Sequence, residues 1–578
     1  MKKYIFYVGT KIISDSFETI EVNNKVIQYS KDNVKIIKSE SKIALFYGPY
    51  YDSDEFIIES LNSLNSKDFL NRLDADCSVV IYELKNDKLY ASRDRFGIKS
   101  TYYASGNDFI IVSNSSKEIL EYGLIEKKPN IKKGLVYVAS HYRYIDMPTE
   151  ESFFENISLV KQANFITCDN QYSIKQEEYW RLELLDLSNK SFEEVGEEYV
   201  DTLKSSVAKR LKKSKKPAFM VSSGMDSSSV AALSKSILNE NVEFLTTVYE
   251  GETEYNEADE IIDLAEKISS KWEKILITDK TILEDINYIT QNTDQPFATV
   301  TQMMHTYLVR SSVEKGYDYI FGGLGGDEAN SGEIEEYMFF FADLRKRGEE
   351  ELLNKEVEGW KKYHEHPLYP KNHKVLNDYF DKYIDFNSPG MNYLDIDRFN
   401  IYKDSVNIEY QVNIVPPKLD YPYRSYLRNK LHQDLFYEGI PIVLKAEEFN
   451  LNAFGLDGMY PYLDKDVMQY GFSIPLNYKY KDGRNKALLR DSIGEYLPKS
   501  VTRNCTKKGW NAPFNEWLKT IVKDELFSIL NNPTKRQKEL YDLNYIQDIL
   551  EEHLESKNNH MMFFWQFINY EKWYAANF

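Results

Sequence analysis

The chain has 578 residues, 42% of them hydrophobic and 28% charged, enough for two or three domains around a large core. Its net charge of −19 argues against a broad nucleic-acid surface, and no apolar run approaches the roughly 20 residues of a membrane span. Cys77, Cys168 and Cys505 give neither a disulfide framework nor metal-ligand spacing, and the N-terminal residues lack a signal-peptide apolar region, so the expectation is a cytoplasmic protein without nucleic-acid or membrane partners.

Residues 1 to about 185 read as β-rich. Short runs such as Val79-Val80-Ile81-Tyr82 and Phe109-Ile110-Ile111-Val112 alternate with Asp, Asn, Gly and Lys turns. The stretch from Ala91 to Tyr103, with Arg93, Asp94 and Arg95 at its turn, predicts a salt-bridged hairpin. At Phe192 the period changes: Phe192, Val195, Tyr199, Leu203, Val207 and Leu211 mark an amphipathic helix. The lysines and arginine from 209 to 216 read as a solvated helix end. Strands follow at 218–221, 242–249, 275–277 and 317–321, separated by helical patterns, which predicts a parallel sheet covered by helices on both faces. After about 330 the chain is mostly helical, and Met561 to Trp573 reads as a buried terminal helix.

Two glycine- or serine-rich loops fall at carboxyl ends of these strands, where open α/β sheets bind ligands. The first is Val221-Ser222-Ser223-Gly224-Met225-Asp226-Ser227-Ser228-Ser229, running from strand into helix. Backbone N–H groups and hydroxyls in that geometry favour an anion, while Asp226 requires a cation between itself and any phosphate. The loop therefore suggests a nucleotide held with Mg²⁺, and the missing Gly-Lys-[Ser/Thr] ending excludes a Walker loop. The second loop is Gly322-Gly323-Leu324-Gly325-Gly326-Asp327-Glu328.

The first loop resembles the pyrophosphate-binding Ser-Gly-Gly-x-Asp-Ser loop of the N-type ATP pyrophosphatases, with Ser223 in place of the first Gly. Together with Arg93-Asp94-Arg95-Phe96-Gly97-Ile98-Lys99, Glu177-Glu178-Tyr179-Trp180, the 322–328 loop, Tyr460-Pro461-Tyr462-Leu463-Asp464 and Lys486-Ala487-Leu488-Leu489-Arg490, it resembles the asparagine synthetase family along nearly the whole chain. That resemblance implies an α/β two-domain protein. Residues 1–185 would form a degenerate Ntn-hydrolase-like αββα sandwich. Residues 186–578 would form a PP-loop ATP pyrophosphatase, a doubly wound parallel sheet with helical additions. It implies ATP on Ser222, Ser223, Gly224, Asp226, Ser227 and Gly323, Mg²⁺ on Asp226 and Asp327, and Lys486, with Lys508 as a second candidate, as the catalytic lysine.

Four departures redirect the function. The family glutaminase uses an N-terminal cysteine, whereas position 2 is Lys2. Its Arg-Gly-Pro-Asp phrase is unrecognisable around Tyr47-Gly48-Pro49-Tyr50. Beyond this loss of the glutaminase residues, the acidic residue of the second glycine loop is Leu324, Glu-x-Arg-x-Pro has become Asp457-Gly458-Met459-Tyr460-Pro461, and the segment from about 330 to 450 is long and Tyr-rich for an enzyme whose acceptor is only aspartate. The resemblance then implies an ATP-dependent, AMP-forming carbon–nitrogen ligase with an inactive glutaminase domain. It would join a carboxylate such as a peptide or glycan acid to an amine, macrolactam closure included. Two alternatives stand beside it: asparagine formation from free ammonia, and a non-catalytic relative that binds a nucleotide or a partner.

Overall fold

Alternating apolar residues at the N-terminal end fold into two antiparallel six-stranded sheets packed face to face. The computed structural model describes the chain except at residues 1, 23, 141, 145–149, 251–255, 364–370, 388–395, 413, 415–418 and 506–511, and leaves the side chains of 270 and 396–399 undescribed. One sheet runs Ser158–Leu159, Tyr102–Ser105, Phe109–Ser113, Ile5–Gly9, Lys25–Tyr29, Glu18–Val22. The other runs Ile174–Glu178, Asn164–Cys168, Lys88–Ser92, Ser78–Glu83, Lys42–Tyr47, Lys35–Lys38. Their inner faces share a core of Phe6, Val8 and Ile110 against Leu45, Val80 and Ile166. The period of two sends the intervening residues outward. Phe46, Val79 and Ile81 pack on the helices Asp54–Ser63 and Ser66–Arg72, while Ile5, Tyr7 and Ile111 join a cluster with Leu135 and Trp565.

That last contact makes the outer helical layer composite. The helix Ile131–Ala139 is local, but Met561–Asn577 comes from the far end of the chain. Trp565 and Trp573 are buried there, and Trp573 packs edge-on against Phe153 at 5.4 Å. The terminal aromatic helix is core, as its sequence predicts, and it ties the end of the chain to the sandwich.

The Ala91–Tyr103 segment is not a hairpin. Lys88–Ser92 pairs within one sheet and Tyr102–Ser105 within the other, so the segment crosses between them. Its charged residues Arg93, Asp94, Arg95 and Lys99 are all buried. Asp94 accepts the N–H groups of Phe96, Ile98 and Lys99, and Arg93 donates to the carbonyls of Gly97 and Lys99. Buried loop backbone must be hydrogen-bonded, and here charged side chains do what a ladder partner would otherwise do.

Downstream, five strands form an entirely parallel sheet in the order Ser269–Ile277, Val242–Tyr249, Pro217–Met220, Tyr319–Phe321, Asp457–Met459. Phe219, Val221 and Phe321 pack towards the helices Phe192–Leu211 and Met225–Leu238. Ala218, Met220 and Ile320 pack the other way, with Leu308, Val309 and Leu451 from the helices Val300–Glu314 and Ile440–Ala453. The inner strands, buried on both faces, explain their continuous apolar runs, whereas the edge strand Ser269–Ile277 leaves Leu276 exposed.

The basic stretch that begins at Lys209 is only partly solvated. Lys212 and Lys213 are exposed, but Arg210 is fully buried, donating to Asp76 of the sandwich at 2.8 Å and to Asp464 at 2.9 Å. Lys209 reaches Asp74 at 2.8 Å and also pairs with Asp464. Charge density read along a helix does not reveal that the Asp74–Asp76 connection of the sandwich packs against one side of it.

Candidate active site

The strands Pro217–Met220 and Tyr319–Phe321 are hydrogen-bonded neighbours, with Phe219 opposite Phe321, so their two loops emerge side by side. Approach is close enough to demand glycine. A Cβ at Gly323 would sit 2.5 Å from the Ser227 nitrogen, and one at Gly326 would sit 2.3 Å from Asp226 Cγ. The second loop is thus laid directly on the first turn of the helix Met225–Leu238. No side chain caps that helix, whose N-cap is Gly224, leaving its positive end facing the loops.

Lys486 completes the corner. It precedes the short helix Ala487–Ser492 in a left-handed backbone conformation, φ 51°, which a lysine adopts only when its surroundings impose it. The neighbours that impose it are visible. Asn485 donates to the Gly332 carbonyl at 3.0 Å, and buried Arg490 binds the Asn485 carbonyl at 2.9 Å and the Asn504 carbonyl at 2.8 Å. The result places Lys486 Nζ 2.5 Å from Asp226 and 2.6 Å from Asp327, with the lysine side chain 6% exposed. Sequence positions 226, 327 and 486 therefore meet at one point.

The serine loop itself is closed on its own groups. Ser222 N–H donates to Ser227 Oγ at 3.1 Å and the two hydroxyls lie 3.1 Å apart. Gly224 N–H donates to Ser222 Oγ at 3.3 Å. Ser223 N–H donates at 2.8 Å to Glu257, a buried carboxylate from a segment beyond the next strand. Glu257 was not visible as a site residue, because nothing in its local sequence marks it and the strand Val242–Tyr249 alone brings it back. A carboxylate on that N–H is itself evidence that the loop accepts an anion. Ser229 Oγ meets Tyr462 OH at 2.7 Å, which fixes the Tyr460–Asp464 phrase beneath the loop.

Leu324 packs into the surrounding apolar core and supplies no acid at the glycine loop. Lys508 lies outside the described residues.

Two family profiles match this chain: asparagine synthase over residues 198–575 and a glutamine amidotransferase domain over residues 50–180. The chain belongs to the asparagine synthetase family. It is therefore an ATP-dependent carbon–nitrogen ligase, of a family that joins a carboxylate to ammonia or an amine. Among relatives, asparagine synthetase [glutamine-hydrolyzing] 1 of Bacillus subtilis is 20% identical over 91% of this chain and 81% of its own length. Amidase chyE of Penicillium rubens is 21% identical over 80% and 73% of the two chains, and Amidase chry2 of Gibberella zeae is 30% identical over 32% and 26%. The two sheets of the sandwich and the following parallel sheet fit this two-part ligase. Among the described residues no helix is long and apolar enough to cross a membrane.

Proposed function

We propose that this family member adenylates the carboxylate of a specialised substrate, such as a peptide or glycan acid, and passes it to an amine without using glutamine. The observation that supports the chemistry best is the Asp226–Lys486–Asp327 contact. ATP phosphates would lie over Ser222, Ser223, Gly224 and Ser227 with Gly323 alongside. Two carboxylates on one corner, joined by phosphate oxygens, suit Mg²⁺, which characteristically takes one or two protein carboxylates; bound there by Asp226 and Asp327, it would neutralise phosphate charge. A carboxylate oxygen of the substrate attacks the α-phosphorus and pyrophosphate leaves. The amine nitrogen then attacks the acyl carbon and AMP leaves, with the amine proton passing to solvent or a nearby base. Lys486 stabilises the charge that develops in these steps.

The sandwich supports a nitrogen source other than glutamine. Lys2, at the position of the family nucleophile, places its ammonium 2.6 Å from Asp457, where Lys99 binds the other oxygen at 2.6 Å. Cys77 and Cys168 are buried; burial first, then Asp94 and Asp76, pushes the Cys77 thiol well up, and burial pushes Cys168 up to about 12. Neither suits a thiolate nucleophile.

Asparagine formation from free ammonia is the second reading, favoured by the long match to the Bacillus subtilis asparagine synthetase. A pyrophosphate-release screen across carboxylic acids, with ammonium or an organic amine and without glutamine, separates the two. Release with aspartate and ammonium alone supports the second. Release confined to larger acids supports the first.

A further inference from the structure

One short buried turn, Pro461–Leu463, touches both loops of the corner, although the adenylation steps assign it no role. A Cβ at Gly325 would stand 2.6 Å from Leu463 Cδ2 and 3.3 Å from Tyr462 Cβ, so the glycine loop lies directly on this turn. On its other side, Tyr462 OH is 2.7 Å from Ser229 Oγ, and both residues are fully buried. The turn is itself held from below. Ser206, on the helix Phe192–Leu211, donates to the Pro461 carbonyl at 2.7 Å, and Asp464 binds Arg210 at 2.9 Å. Just upstream, the Met459 carbonyl accepts the Gly322 N–H at 3.1 Å, where the glycine loop begins.

The hydrogen-bond directions in this contact follow from counting protons. Ser229 has a single O–H, and its Oγ lies 2.6 Å from the Met225 carbonyl and 2.9 Å from the Asp226 carbonyl. That proton is directed back into the first turn of the helix Met225–Leu238. Ser229 Oγ is then left as an acceptor, and the Tyr462 phenol is the donor. A continuous path of hydrogen bonds therefore runs from Tyr462 through Ser229 to the backbone of Asp226. The helix start needs such an anchor, because its N-cap is Gly224 and no side chain caps it. A buried hydroxyl is costly without a partner, and here both hydroxyls are satisfied only by each other and by that turn.

Resting on the ligase reading above, we propose that Tyr462 is a positioning residue for the metal–nucleotide corner: through Ser229 it fixes the turn that carries Asp226, and so the placement of Asp226 opposite Asp327. The two carboxylates come from different loops, and each loop alone has freedom to shift. The 461–463 turn gives them one shared reference, with Tyr462 bonded to the helix of the first loop and Leu463 packed under the second. Lys486, 2.5 Å from Asp226 and 2.6 Å from Asp327, reads out the result. Ligand groups held by a supporting layer of hydrogen bonds lose function when that layer is loosened, even though the ligands themselves remain.

The test is calorimetric titration of the full chain with ATP, once with excess MgCl₂ and once in EDTA, alongside the Tm of the unliganded protein. Tyr462→Phe removes one hydroxyl and keeps the ring, and Ser229→Ala removes its partner. Each should weaken MgATP binding about fivefold or more, the worth of one buried hydrogen bond, and should leave metal-free ATP unaffected. The double variant should be no weaker than the weaker single one, because the two hydroxyls act as one contact. If Tyr462→Phe does not fold, Ser229→Ala is judged by the same fivefold criterion. A lowered Tm with unchanged MgATP affinity would make the pair merely structural and overturn the proposal. Losses that multiply in the double variant, or an equal loss for ATP in EDTA, would overturn it too. Failure of wild type to bind MgATP would instead overturn the ligase reading on which the proposal rests.

Discussion

The seam between the two halves and the corner proposed to bind ATP are built from the same residue types put to different uses. Across the seam, Lys2, Lys99, Lys209 and Arg210 face Asp457, Asp464, Asp74 and Asp76, four cations to four carboxylates. At the corner, Lys486 faces Asp226 and Asp327. These pairs tie the halves together, joined by the buried Glu448, which accepts the Ser100 N–H at 2.8 Å. The corner instead gathers two carboxylates on one lysine at the mouth of the two loops, where the proposed chemistry needs them. Removing a charge should therefore damage stability at the seam and chemistry at the corner.

The largest expected effect is at the corner. Asp226→Ala or Asp327→Ala should lower AMP and pyrophosphate formation by about a thousandfold or more, since each removes a carboxylate proposed to hold the metal and with it several kcal/mol of transition-state stabilisation. The same variants should remain folded, which calorimetry reads directly. Normal turnover in both would remove the metal assignment.

At the seam, Arg210→Met leaves Asp76 and Asp464 buried without their shared partner. Breaking one member of a buried charge network costs about 3–5 kcal/mol, so the first urea transition should move sharply down. The AMP-to-ADP product ratio of the remaining folded protein should not change. An unaltered urea midpoint would show that the seam is not a stabilising element.

Lys486 sharpens the contrast from the corner side. Lys486→Ala should reduce kcat by roughly a hundredfold with little change in KM, as expected for a contact realised in the transition state. Lys486→Arg should also be poor, because a planar guanidinium does not place a compact charge at the same point. Steady-state AMP formation distinguishes this from a lysine that merely braces the loop, whose loss would lower Tm and leave kcat intact.

The smallest effect is with pH. Burial raises the Asp464 carboxyl, but Arg210 and Lys209 outweigh it and hold the group below its ordinary value. A carboxylate depressed in the folded state contributes fully above its unfolded value, near 4, and loses that contribution as pH falls through the folded value. The urea midpoint should be flat with respect to this group from pH 7 to about 5 and drop below about 4. Asp464→Asn should start lower and show a shallower acid limb.

The parallel sheet was legible because strands buried on both faces are continuous apolar runs, and both ligand loops carried their own glycine or serine signature. Asp226, Asp327 and Lys486 were legible as motifs, though their meeting at one point depends on the order of strands, which sequence spacing alone does not encode. The crossing at Ala91–Tyr103 was misread because a charged turn between two strands looks the same whether the strands pair or part. Arg210 was misread because its partners, Asp76 and Asp464, lie in distant segments. Glu257 had no local signal, and Lys508 stands outside the described residues.

The most direct measurement of the central claim is chromatographic product analysis of MgATP turnover with a mixture of carboxylic acids, comparing ammonium or an organic amine with glutamine as nitrogen source. The account predicts AMP and pyrophosphate with the amine, loss of both in Asp226→Ala, and no glutamate released from glutamine. Formation of ADP and phosphate, or glutamate release by the wild-type protein, would contradict it.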